Sequence, residues 1–114
     1  MNAEGHKNKA EEIKESLEKL LPDEEGKHVV AIVELTYGIL QHLISYGMEK
    51  KHGRHLNTHV GLCKELRDLG EDDIAEIFET IDTFRHGRWY GGKGNGNIVK
   101  KCLELIKEVE KWIK

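Results

Sequence analysis

The chain has 114 residues, a formal net charge of -3, 38% hydrophobic and 34% charged residues. That suffices for one core and is too short for two domains, so residues 1–114 are expected to form a single domain. The balance excludes a disordered, collagen-like or low-complexity chain and a multidomain enzyme. Two cysteines, Cys63 and Cys102, sit inside amphipathic patterns. They read as small core hydrophobes in a reducing cytosol, not as a secreted disulfide framework.

The longest apolar stretch, Val29 to Tyr46, is broken by Glu34, Gln41 and His42. With no Lys/Arg asymmetry around it, it reads as a buried core helix and not a bilayer span. The polar start MNAEGHKNKAEE has no signal-peptide pattern, so a cytoplasmic protein is expected.

Only one proline is present and no period-2 run is sustained, so the pattern is helical throughout. A first helix is predicted over Glu4 to Leu21, with Ile13, Leu17, Leu20 and Leu21 as one stripe on a charged rod. Pro22 stops it, and Asp23 to Gly26 form the connection. A second helix from about Lys27 to Lys51 is apolar nearly all round, including Val29, Val30, Ile32, Val33 and Leu35. Such a helix belongs at the centre of a bundle. Gly53 and its neighbours end it.

Asn57 or Thr58 can cap a third helix carrying Val60, Cys63, Leu66 and Leu69, with Gly70 just past its end. The acids Glu71 to Asp73 open a fourth helix, whose stripe is Ile74, Ile77, Phe78, Ile81 and Phe84. Asn95 or Asn97 can cap a fifth, with Ile98, Cys102, Leu105, Val109 and Trp112 spaced for one face. Five helices with short links predict an all-α, up-and-down antiparallel bundle.

The charges are segregated. Residues 50–67 carry a net +4, residues 68–82 a net -7, and residues 83–101 a net +5 with no acid. A mildly acidic chain with two basic blocks can present a local site for a phosphate or a nucleic-acid strand.

The segment Arg85 to Asn97, RHGRWYGGKGNGN, concentrates the chemistry. Its glycines permit close backbone approach, Arg85, Arg88 and Lys93 supply positive charge, and Trp89 and Tyr90 can stack on a base. It is no P-loop, since no strand precedes it and the GK[ST] ending is missing. The bland alternative is a connection that Trp89 and Tyr90 anchor.

His52, His55 and His59 form a second cluster, either solvated at a helix junction or a metal site lacking an acidic ligand. Arg54 and His59 have the spacing of a phosphate clamp and a general base, though such spacing is common. His42, Tyr37 and Tyr46 lie among apolar residues, as satisfied core groups or as groove lining. The acidic stretch Glu71 to Asp82 is a solvated helix face or a partner's docking surface. No nucleophilic triad or paired-cysteine motif is legible, and no cofactor is implied.

The order of these features resembles the HEPN-type helical domains. A tyrosine-bearing hydrophobic helix precedes HLNTHVGLCKEL, then an acidic helix, then RHGRWYGG. The family's Lys-Thr-His-Asp-Leu variant is matched by Thr58 and His59, with the Asp replaced by Val60. Its Arg followed by Tyr-Gly is matched by Arg85 and Tyr90-Gly91. The likeness spans about Lys27 to Trp112. It implies a helical bundle, a homodimer with a cleft between subunits, and a place in toxin–antitoxin, phage-defence or RNA-processing systems. Members are often paired with minimal nucleotidyltransferases.

Catalytic members of that family are metal-independent endoribonucleases with a His four to six residues after the Arg. Here that His is missing. His86 is adjacent to Arg85, and the Arg54–His59 pair has the spacing on another element. The expectation is therefore a nucleotide- or RNA-phosphate-binding module. Arg85, Arg88, Trp89, Tyr90, Lys93 and Arg54 are its binding residues. The alternatives are an endoribonuclease using His59 or His86, or a nucleotidyltransferase's interaction partner.

Overall fold

The computed structural model describes residues 1–55, 60–87 and 95–114, and of residues 95 and 96 the backbone alone. The described residues form helices and turns with no strand: α1 (Ala3–Glu18), α2 (Val29–His52), α3 (Leu62–Asp68), α4 (Asp72–Arg85) and α5 (Asn95–Trp112). The body measures 41 × 25 × 22 Å.

α2 is the axis, packed by α1, α4 and α5, while α3 packs on α4. The four long helices alternate in direction. The start of α1 meets the second half of α2 through His6 and His42. The end of α4 meets the start of α2 through Arg85 and Glu34. The end of α5 returns to the end of α2, where Trp112 packs at Gly47. At seven residues, α3 is a step between α2 and α4, not a full rod.

The helix ends follow local chemistry. Asn2 accepts a hydrogen bond from the Gly5 N–H and opens α1. Before α2, buried Asp23 accepts from the Lys27 and His28 N–H groups, both at 2.9 Å. These bonds fix the turn that follows Pro22. Gly53 ends α2 at φ 64°, a left-handed geometry that L side chains rarely adopt.

α3 ends in a Schellman motif. The Gly70 N–H donates to the Arg67 carbonyl at 3.0 Å and the Glu71 N–H to the Leu66 carbonyl at 2.8 Å, with Gly70 at φ 80°. The chain thereby reverses directly into α4.

The core joins Leu17 of α1 to Ile32, Val33, Ile39, Leu40 and Ile44 of α2. It continues into Leu62, Leu66, the whole α4 stripe, and Ile98, Cys102, Leu105 and Val109 of α5. Three expectations are corrected. Val30 is 57% exposed, so α2 has a solvent-facing edge at its first turn. Val60 is 79% exposed and precedes α3, whose buried residues are Leu62 and Leu66. The first helix ends at Glu18, and Leu20 and Leu21 pack as turn residues before a cis Leu21–Pro22 bond.

α2 is long and apolar enough to cross a membrane by length and composition. Here 56% of its most apolar window is buried against the other helices. Both cysteines are free thiols. Burial pushes the Cys102 thiol up to about 11, with the Thr36 hydroxyl pulling the other way. That contact is weak, because Thr36 Oγ1 is fully buried and has no hydrogen bond of normal geometry among the described residues.

Candidate functional site

Arg85 closes α4, where the last carbonyls of the helix favour a cation. Its guanidinium carbon lies 4.4 Å from the centre of the Tyr37 ring. Its Nε donates to Glu34 Oε2 at 3.2 Å. Glu34 and Tyr37 are one turn apart on α2, so both reach the same spot. The guanidinium thus sits over an aromatic ring with its Nε on a carboxylate.

Tyr37 is buried, and burial raises its phenol pKa while the Arg85 charge opposes the rise. Its ring also packs on Phe78 of α4 at 5.1 Å between centroids. Arg85 is therefore carried on a core aromatic residue, not on a loop.

These residues border a cleft of about 370 Å³ between the end of α4 and the start of α3. Gly61, Cys63 and Lys64 form one wall, and Glu79, Asp82, Arg85 and His86 another, with Tyr37 and Phe78 beneath. The cleft joins parts of the two basic blocks that lie 20 residues and more apart in sequence. Its charge is mixed, because Glu79 and Asp82 share the wall with Arg85. Burial raises the Cys63 thiol pKa, with Glu79 adding to the effect.

His86 caps α4. Its Nδ1 donates to the Asp82 carbonyl at 2.6 Å, and the Asp82 carboxylate lies 3.7 Å from the same nitrogen. A carbonyl can only accept, so the neutral ring keeps its lone pair on Nε2. That is the tautomer a general base needs, beside a fixed cation.

The other expected residues are distributed differently. Arg54 pairs with Glu65 of α3 at 3.3 Å, outside the cleft lining. His52 turns to Glu71 at 3.4 Å, and His55 turns to Glu49 at 3.2 Å. The expected His cluster is thus split between two carboxylates. No group of three metal-ligating side chains is found among the described residues. His59, Arg88, Trp89, Tyr90 and Lys93 lie outside the described residues, as do the proposed caps Asn57 and Thr58.

A larger cleft, about 570 Å³, is at the opposite end of α4, lined by Glu71, Asp72, Asp73, Glu108, Lys111 and Trp112. Its carboxylates disfavour an anion, so size alone does not make it a phosphate site. In the acidic stretch, Glu71 is structural: it accepts from Trp112 Nε1 at 2.5 Å and faces His52.

No family model, curated protein or solved structure matches this chain, so the chemistry of the cleft rests on its own residues.

Proposed function

We propose that this chain is a HEPN-like helical module that binds the phosphate of a nucleotide or RNA strand at the α3–α4 cleft. The observation that carries the reading is Arg85, held between Tyr37 and Glu34 on the rim of that cleft. A guanidinium whose position is already fixed loses little freedom on meeting a phosphate. In this reading Arg88 and Lys93 extend the positive charge and Trp89 or Tyr90 stacks on a base. A second copy of the chain completing the cleft is what the resemblance implies. A role in toxin–antitoxin, defence or RNA-processing systems is what the resemblance implies.

The test is a titration of a fluorescent nucleotide or short RNA at low and moderate salt. Binding should weaken with salt and in Arg85→Ala and Arg88→Ala. Absence of binding at low salt, or unchanged affinity in both variants, refutes the proposal.

A second reading, metal-independent RNA cleavage, draws on the His86 tautomer. In it Nε2 takes the 2′-hydroxyl proton and Arg85 stabilises the charge that builds on phosphorus oxygens. Labelled RNA is incubated with EDTA and wild type, His86→Ala or His59→Ala. Equal background cleavage in all three removes this reading.

A further inference from the structure

His6 is 6% exposed although it lies on the charged first helix. Its Nδ1 is 2.9 Å from Nδ1 of His42 on α2. The two rings are 5.2 Å apart and tilted by 40°. Two nitrogens at this distance need one hydrogen between them: one ring donates and the other accepts. A second hydrogen on that line would set two N–H groups head to head.

The surroundings make a second charge harder to place. From α1 and its approach, Lys9 and the chain's amino group face the pair, and from behind α2 comes His55, 6.1 Å from the His6 ring. The opposing charge is Glu49 of α2, and it is already engaged with His55 at 3.2 Å. Lys7 and Lys50 stand over the Tyr46 ring at 5.8 and 5.9 Å. Glu110 of α5 and Lys114 just past its end line the adjoining groove with Lys7, Lys14 and Glu11. Burial is the largest cause in lowering both histidine pKa values; repulsion by His55 comes next for His6, and repulsion by His6 next for His42.

We propose that His6 and His42 form a proton-operated latch. One shared hydrogen holds the first turns of α1 on α2, and a second one releases them. Lys7 and Ala10 line one side of a groove of about 450 Å³ whose apolar wall is Ile39, Leu43 and Tyr46. Release of those turns uncovers that apolar wall. The rest of the bundle stays closed, since Leu17 remains packed in the core.

The test is amide hydrogen exchange on the full chain between pH 7.5 and 5.0, corrected for intrinsic exchange. Protection of residues 6–10 relative to residues 76–81 of α4 should fall at least tenfold on acidification. In His6→Asn and His42→Asn, whose side chains stay neutral, the ratio should stay level. A level ratio in wild type, or the same fall in both variants, overturns the latch. Should the variants loosen α1 at every pH, the ring nitrogens of wild type decide by NMR titration. Linked titration of His6 and His42 below the range of a free peptide histidine supports the latch, and two independent titrations at the peptide value overturn it.

Discussion

The Arg85 guanidinium carbon stands 4.4 Å from the centre of the Tyr37 ring, while Glu34, one turn earlier on α2, accepts from its Nε. Charge, stacking surface and counter-charge therefore converge from residues 48 and 51 positions apart. Glu34 has a dual effect: it positions Arg85, and it competes with any incoming phosphate.

A Glu34→Gln substitution separates those effects. It keeps a hydrogen-bond acceptor and removes the competing charge. Affinity for a short RNA should rise by about threefold at low salt. Thermal stability should change by less than about 0.5 kcal/mol, as for other half-exposed ion pairs. Arg85→Lys retains charge and loses the planar stack, so its affinity should fall between wild type and Arg85→Ala. Fluorescence anisotropy checks both, and equal affinity of the Lys and Ala variants would contradict the stacking role.

Stability should depend on pH through His6 and His42. Both pKa values lie below 6.5 in the folded chain and return to that value on unfolding. The unfolded chain then binds more protons, so this contribution is complete above about pH 6.5 and declines as pH falls. Urea unfolding at pH 7.5 and 5.5 should show lower stability at the acid value. Replacing either histidine by Asn should shrink the difference.

Gly47 is a packing position. A Cβ there would collide with the Trp112 ring and with Ile113 Cγ2. Alanine normally favours a helix by up to about 1 kcal/mol over glycine. Here the overpacking outweighs that gain, and Gly47→Ala should destabilise the bundle by about 1–2 kcal/mol. Calorimetry checks the sign, which propensity alone would place in the opposite direction.

Thr36 offers the converse case. Its hydroxyl is fully buried and makes no hydrogen bond of normal geometry among the described residues, so Thr36→Val removes a desolvated polar group with little change of shape. The variant should be more stable by about 1 kcal/mol. A loss of stability would mean that the Cys102 contact is a working hydrogen bond.

Asp23 holds two N–H groups before α2. Asp23→Ala should lose about 1–2 kcal/mol. Asp23→Asn, which keeps an acceptor oxygen, should lose less. Chemical denaturation ranks the three chains.

Most of the fold is legible in the residue pattern, because helix stripes are local. The α4 stripe from Ile74 to Phe84 is buried at every expected position, and Gly70 ends α3 as glycine spacing suggests. Val30 and Val60 misled because apolar identity does not say which face a neighbour covers. His6 is invisible as a core residue, since its burial depends on His42, 36 positions away. Glu34 reads as a mere interruption of an apolar run until α4 brings Arg85 beside it. Tyr37 has a weak signal, as a tyrosine one turn from an acid on a core helix. Arg54 shares a basic block with Lys64 but is turned to Glu65 by the left-handed exit of α2.

Trp112 fills the notch at Gly47 and donates to Glu71 at the head of α4. During synthesis, a nascent chain halted before Trp112 has α2 and α4 in hand but neither the plug nor the donor that joins their ends. Closure of this bundle on the ribosome must therefore wait for the last turn of α5, which carries both the plug and the donor.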